Sequence, residues 1–129
     1  VFGGAIYEVN TDCFSVQGFL VKARIPLGMH AHAKKHEIFM IVAGHGKLLT
    51  AQACAPLFRA FQLEEGQVIH IKPNIAHTFY LEPGSKMVCF STEPFDNENE
   101  DFIKHPNLNE ENHPSIVLEN VPPESSLVS

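Results

Sequence analysis

The stretch Gly28-Met29-His30-Ala31-His32-Ala33-Lys34-Lys35-His36-Glu37, running on through Ile38-Phe39-Met40-Ile41-Val42-Ala43 to Gly44, carries the densest chemical information in this chain. On an extended backbone, residues i and i+2 point to the same side, so the imidazoles of His30 and His32 reach toward one point. Glu37 follows at the start of a β-rich run that is apolar on both faces, as in a strand covered on both sides. His77 comes two strands later, after Pro73-Asn74. If these strands pair in antiparallel fashion, His77 lies alongside the first pair, and three imidazole nitrogens and one carboxylate converge. Such a set binds a first-row divalent metal and leaves one or two positions open for water or substrate. A single surface histidine is usually just solvated; the grouping sets these four apart.

Outward from that stretch, short apolar or alternating segments recur, and no helical period is sustained. Phe14 to Ile25 reads as a strand with Phe19, Val21, Ala23 and Ile25 on one face and Leu20, Lys22 and Arg24 on the other. Glu37 to Ala43 and Lys47 to Ala51 read as a hairpin turned at Gly44-His45-Gly46, where glycine takes positive φ cheaply. Ala51 to Leu57, interrupted by Cys54-Ala55-Pro56, reads as a loop. Phe58 to Leu63, Val68 to Ile71, His77 to Leu81 and Lys86 to Ser91 are further strands, separated by the turns Glu64-Glu65-Gly66-Gln67 and Glu82-Pro83-Gly84-Ser85. Short strands at this spacing predict an all-β antiparallel sandwich or barrel.

The 129 residues suffice for one core, with 44% hydrophobic and 19% charged residues, the balance of a globular chain. The longest apolar run, Ile38 to Ala43, is too short for a membrane-crossing helix. The formal charge is −6, and it is uneven. From Glu93 onward there are nine acids and one base, Lys104, which leaves a balance of +2 on residues 1–92. Net acidity argues against nonspecific nucleic-acid binding. A barrel domain over 1–92 and an acidic, Pro- and Asn-rich C-terminal arm over 93–129 are therefore expected. The arm reads as extended, with a short helix near Asp96 to Lys104 as an option. Its apolar cluster Ile116-Val117-Leu118 is suited to docking on the body or on a partner. The three cysteines, Cys13, Cys54 and Cys89, lack a CxxC spacing and fit a reducing compartment. Val1-Phe2-Gly3-Gly4 lacks the layout of a secretory signal, so a cytoplasmic location is expected.

The first stretch resembles the first motif of the cupin superfamily, in which HxH is followed by Glu after a gap of three or four residues and by Gly after six more. Here the gaps are four and six. Gly66, Pro73 and His77, in Gly66-Gln67-Val68-Ile69-His70-Ile71-Lys72-Pro73-Asn74-Ile75-Ala76-His77, resemble the second motif. Two departures stand out. Asn74 occupies a position where the family usually has glycine, and Asn tolerates left-handed backbone better than most residues. The first motif also begins late, since Gly28 lies only two residues before His30. The resemblance covers about residues 14–92. It implies a jelly-roll β-barrel with His30, His32, Glu37 and His77 as ligands of Fe, Mn, Ni or Zn. Single-domain barrels of this kind often pair through their sheets, so it also implies a homodimer.

The remaining histidines divide by position. His36 is an alternative ligand by its i, i+4 spacing to His32, but its one-residue step from Glu37 favours the rim. His70 faces outward if Ile69 and Ile71 pack the interior, and otherwise stands behind the ligands as a base. His45, His105 and His113 read as solvated. Phe39, Ile41, Phe79 and Leu81 share the ligands' parity and line either a pocket or plain core, while Tyr80 points away. Cys89 reads as a small buried residue.

Three readings follow. The first, which the resemblance favours, is a metal-dependent enzyme acting on a small polar, oxygenated molecule, with dioxygenase, isomerase, decarboxylase and lyase chemistry all open. The second is a sugar- or small-ligand-binding module. The third is an interaction protein whose acidic arm engages a basic partner. Neither nucleic acid nor membrane is an expected partner.

Overall fold

The computed structural model describes residues 4–52, 58–94 and 102–121. These form eleven strands and no helix: β1 (Gly4–Asn10), β2 (Ser15–Val21), β3 (Leu27–His32), β4 (Glu37–Ala43), β5 (His45–Gln52), β6 (Phe58–Glu64), β7 (Val68–Ile71), β8 (Ile75–Leu81), β9 (Lys86–Ser91), β10 (Phe102–Lys104) and β11 (Leu118–Asn120). Two sheets result. One has the order β1-β2-β9-β4-β7, the other β10-β3-β8-β5-β6-β11. Neighbours pair antiparallel except β11, which joins β6 in parallel. The all-β fold expected from strand spacing is the fold observed. No helix is long and apolar enough to cross a membrane among the described residues.

Period-two alternation builds the core. Phe39 and Ile41 of β4, Met87 and Cys89 of β9, and Ile69 and Ile71 of β7 point from the first sheet toward Leu48, Phe61, Leu63, Phe79 and Leu81 of the second. Phe39 and Phe79 meet across the gap with ring centroids 4.5 Å apart.

The connections differ from the simplest sequence reading. The β4–β5 segment is not a hairpin, because β4 pairs with β7 and β9 while β5 pairs with β6 and β8. The chain changes sheets at Gly44, whose φ is +91°. A side chain there would collide with Ser85, so the crossing needs glycine. The strand expected over Phe14 to Ile25 stops at Val21, and Ala23 is exposed rather than interior. Strand β4 is covered on one face only: Ile38, Met40 and Val42 are exposed. β1 and β3 carried too little unbroken alternation to be read as strands. The loop expected over Ala51 to Leu57 falls largely on residues 53–57, outside the described residues.

The described part of the acidic segment adds to the second sheet. Phe102–Lys104 is a strand paired with β3, in place of the end of the optional helix; residues 96–101 lie outside the described residues. Between β10 and β11 the chain crosses the outer face of the second sheet. Ala31, Ala51, Ala60 and Ala76 form a shallow floor there, into which Leu108 packs almost fully buried, with Ile103 and Ile116 beside it. Small side chains in the floor let the overlying backbone come close enough for Thr78 Oγ1 to donate to the Leu108 carbonyl at 2.6 Å. Within the apolar cluster of residues 116–118, Ile116 turns inward while Val117 and Leu118 stay exposed.

Charge follows the same division. Glu110 pairs with Arg24, whose Nη2 lies 2.9 Å from Oε2, and with Lys47 Nζ at 2.6 Å. Its backbone N–H donates to Tyr80 Oη at 3.0 Å. The hydrogen bond from Arg24, reinforced by Lys47, holds the Glu110 carboxyl down at about 2. Glu119 pairs with Arg59 at 2.7 and 3.0 Å. These acids of the extension are matched by bases of this chain's own barrel, which removes part of the motive for a basic partner.

Replacing Leu108 by Ala should lower the unfolding free energy by about 2–5 kcal/mol, the usual cost of emptying a buried leucine site. Urea denaturation measures it; a loss below about 1 kcal/mol would mean that the extension is not packed as described.

Candidate metal centre

His30 and His32 stand on β3, His77 on β8 and Glu37 at the first position of β4. The three imidazoles thus come from adjacent strands of one sheet, and the carboxylate comes across the barrel from the other. β3 and β8 bring His30 directly opposite His77. The register slips between Gly28 and His30, where Met29 takes a φ of +57°. This bulge re-aims the His30 side chain. Gly28, at φ +115°, sits so close that a Cβ would lie 2.5 Å from the His77 carbonyl oxygen. Before β8, Asn74 adopts φ +67°, the left-handed turn that Asn can supply in place of glycine, and its N–H donates to the His32 carbonyl at 2.7 Å.

One ligand atom from each of His30, His32, Glu37 and His77 lies within 4.8 Å of every other. The rings of His30 are edge-on to His32 and His77 at 4.7 and 4.9 Å between centroids. Glu37 Oε1 lies 3.3 Å from His32 Nε2 and 3.2 Å from His77 Nε2. Two donors at right angles on a metal with bonds of about 2.1 Å are about 3 Å apart, so these separations suit a shared cation.

Proton bookkeeping points the same way. His77 Nδ1 is 3.1 Å from the Ile75 carbonyl, which can only accept, so Nδ1 donates there and Nε2 is the nitrogen turned to the cluster. It faces the buried Glu37 Oε1, to which no described group donates in good hydrogen-bond geometry. Out of water the two are unfavourable unless positive charge, a proton or a cation, lies between them. Burial by itself pushes the Glu37 carboxyl up. Positive charge at the neighbouring His77, His32 and Lys35 outweighs it and lowers the group to about 2. Burial, with the neighbouring His77 and His32, pushes His30 down to about 3, so its imidazole is kept neutral and ready to donate a lone pair.

Two side chains near the ligands were not identified as functional from sequence. The Cys89 Sγ donates to Glu37 Oε2 at 3.5 Å, and burial followed by the Glu37 charge pushes its pKa up, so it stays a thiol. The period-two parity of β9 gave its burial but not its partner. Lys35, only 5% exposed, contributes positive charge felt at Glu37, His30 and Cys89. Nothing in a Lys-Lys pair on a loop marks one of them as interior. Phe39 and Phe79 flank His77 and belong to the core, as plain packing predicts.

The structure keeps the other histidines out of this group. His36 Nδ1 lies 2.9 Å from His70 Nε2, and the pair stands on the opposite side of β4 and β7 from the cluster. This removes His36 as an alternative ligand and His70 as a base behind the ligands. His45 is exposed. His113 is half-buried against the Phe58 ring, 4.2 Å between centroids, rather than solvated.

No protein-family model and no curated protein matches the sequence. Solved structures do. CapF, a capsular polysaccharide assembling protein from Staphylococcus aureus, superposes with a TM-score of 0.70 at 23% identity, over 79% of this chain and 32% of CapF. Lactobacillus farciminis oxalate decarboxylase, in a formate complex, gives 0.65 at 20%, over 80% and 32%. Bacillus subtilis oxalate decarboxylase, a protein with Mn(II) centres, gives 0.66 at 14%, over 78% and 28%. The chain spans about a third of the length of these proteins.

The downward shifts of Glu37 and His30 fix the sign of a pH effect. Below pH 6.5 the unfolded chain protonates a histidine that the folded chain keeps neutral. Below pH 4.5 it protonates a carboxylate that the folded chain keeps charged. Stability of the metal-free protein should therefore fall as pH falls from about 7 toward 3. Thermal melts in chelator should show Tm dropping across this range, and His30→Gln should flatten the upper part. A Tm that rises on acidification would contradict the described burial.

Proposed function

We propose, from the cupin fold that this chain shares with CapF and oxalate decarboxylase, that it is a metal-dependent enzyme acting on a small oxygenated molecule. The observation that carries this reading is the buried, unpartnered Glu37 Oε1 facing the Nε2 atoms of His32 and His77. His30, His32, Glu37 and His77 are the ligands in this reading. Fe, Mn, Ni or Zn suits the donor set, and the Mn(II) centres of one structural neighbour make Mn the first to test. Four protein donors would leave one or two coordination positions for substrate oxygens. A divalent cation there supplies Lewis-acid polarisation of bound oxygen atoms, and with a redox-active metal, electron transfer.

The chain's own residues have distinct tasks. The Ile75 carbonyl fixes the His77 tautomer. Cys89 holds Glu37 Oε2, so Oε1 is the oxygen presented to the centre. Lys35 adds a positive charge that favours an anionic substrate such as a carboxylate. Phe39 and Phe79 keep water from the floor of the site. The formate bound to one neighbour and the tropolone that inhibits another are small oxygen-bearing molecules, which supports this substrate class. A second reading, a non-catalytic small-ligand module, is favoured by one feature: apart from Lys35 and Ser91, the side chains described beside the ligands are aromatic, or, in Cys89, a thiol held protonated.

Protein purified without chelator should hold close to one equivalent of a divalent metal, measured by elemental analysis. His77→Ala and His32→Ala should lose it, while His36→Ala should keep it. Unchanged stoichiometry in the first two would refute the ligand assignment. Turnover or oxygen uptake with a panel of small carboxylates, catechols, diketones and thiols should vanish in folded Glu37→Gln. Full metal occupancy with no turnover across the panel would favour the binding module instead.

Cys89→Ala should leave the fold intact but weaken metal affinity by about 10- to 100-fold, as loss of a group behind a ligand usually does. Competitive chelator titration reads this out, and parent-like affinity would remove Cys89 from the site.

A further inference from the structure

On the inner face of the first sheet, one row of paired positions runs Asn10, Ser15, Ser91, Glu37 and Ile71, from β1 across to β7. Along β9 the inward positions are apolar at Met87 and Cys89, and then a hydroxyl at Ser91. Ser91 is only 3% exposed. Directly paired residues carry their Cβ atoms about 5 Å apart, so Ser91 stands beside the Glu37 side chain. Yet its Oγ is buried with no hydrogen-bond partner among the described residues, and the same holds for Glu37 Oε1. Ser15, the neighbour on its other side, is equally buried, but its hydroxyl reaches the Glu93 carbonyl at 3.4 Å.

The two unsatisfied atoms need opposite things. Glu37 Oε1 is an acceptor, and a cation answers it. A serine hydroxyl carries a hydrogen that no cation can satisfy and that requires an acceptor. Leaving a buried donor unpaired is costly, so such groups in a native fold are rare and call for a reason. An anion bound together with the cation meets both needs. A carboxylate fits, because it has two oxygens to divide between cation and hydroxyl. The positive charge of Lys35 beside Glu37 favours the same class, and a charged acceptor makes the stronger hydrogen bond.

We infer that Ser91 is a substrate-positioning residue, whose Oγ donates a hydrogen bond to one oxygen of a carboxylate while the other oxygen lies at the centre formed by His30, His32, Glu37 and His77. The inference rests on the metal-dependent reading and narrows its substrates to carboxylates. A donor held ready inside the barrel, and unpaired until the ligand arrives, trades some stability for a preorganised contact. A hydroxyl that served only the fold would instead be satisfied in the free protein, by Glu37 or by an internal water.

Ser91→Ala separates these roles, since it removes the hydroxyl with little change of volume. In chelator its thermal midpoint should equal or exceed the parent's, because an unpaired buried donor has been removed. Cobalt(II), a coloured stand-in for the divalent metal, should bind parent and variant with the same stoichiometry and affinity. Acetate is then titrated into the cobalt protein and followed by visible absorption. Its affinity should fall about 10-fold in Ser91→Ala, the loss of one hydrogen bond to a charged acceptor. Imidazole, which enters through nitrogen and brings no oxygen acceptor, should bind both proteins alike. A lower thermal midpoint with weaker cobalt binding would assign the hydroxyl to Glu37 and overturn the inference. So would an acetate affinity within about 3-fold of the parent's, equal losses for acetate and imidazole, or a parent whose spectrum acetate leaves unchanged. In each of these cases cobalt is still held, and only the role of Ser91 fails. A parent that takes up no cobalt would refute the metal reading itself, and this inference with it.

Discussion

Inside this barrel an imidazole nitrogen of His77 and a carboxylate oxygen of Glu37 face each other across 3.2 Å, both removed from water. In bulk solvent either would be satisfied by a hydrogen bond. Here the other ring nitrogen of His77 is committed to the Ile75 carbonyl, and Glu37 has given its other oxygen to Cys89. Something positive must join the facing pair; a proton would serve those two alone, whereas a divalent cation held also by His30 and His32 would satisfy all four groups at once. The functional proposal rests on that constraint.

The architecture serves it. The carboxylate and the imidazoles come from different sheets, so the site exists only while the two sheets are packed. Phe39 of one and Phe79 of the other, in contact beside His77, keep them so. The bulge at Met29, the glycine at 28 and the left-handed Asn74 are the backbone irregularities near the ligands, and each bears on how β3 and β8 meet. Away from the site, the extension seals one outer sheet face with Leu108 and its ion pairs. The other outer face is apolar, and among the described residues no segment packs over it.

Much of this was legible in the sequence. Alternation grouped Phe39 with Ile41, Phe79 with Leu81 and Met87 with Cys89, left open which way Ile69 and Ile71 face, and by the i, i+2 rule put His30 and His32 on one side. The tolerance of Asn for positive φ accounted for Asn74 before any geometry was known. What alternation cannot report is which strands become neighbours. A glycine between two strands looks the same whether it turns a hairpin or carries the chain across the barrel, so Gly44 was read as the former. Period two also cannot say whether an apolar face is covered, and β4 was taken as buried on both sides although Ile38, Met40 and Val42 are open. Lys35 and the Cys89–Glu37 contact were hidden because burial of a loop lysine, and pairing between β4 and β9, depend on contacts distant in the chain. The acidic extension was read by composition, which registers charge but not the arginines and lysine that answer it.

The most direct measurement is anomalous diffraction from crystals of the protein purified without chelator, with data on both sides of the absorption edge of the metal found by elemental analysis. The account predicts one strong peak about 2.0–2.3 Å from a ring nitrogen of each of His30, His32 and His77 and from Glu37 Oε1. Density showing these four groups apart, or a metal bound elsewhere with Glu37 hydrogen-bonded in its place, would contradict it.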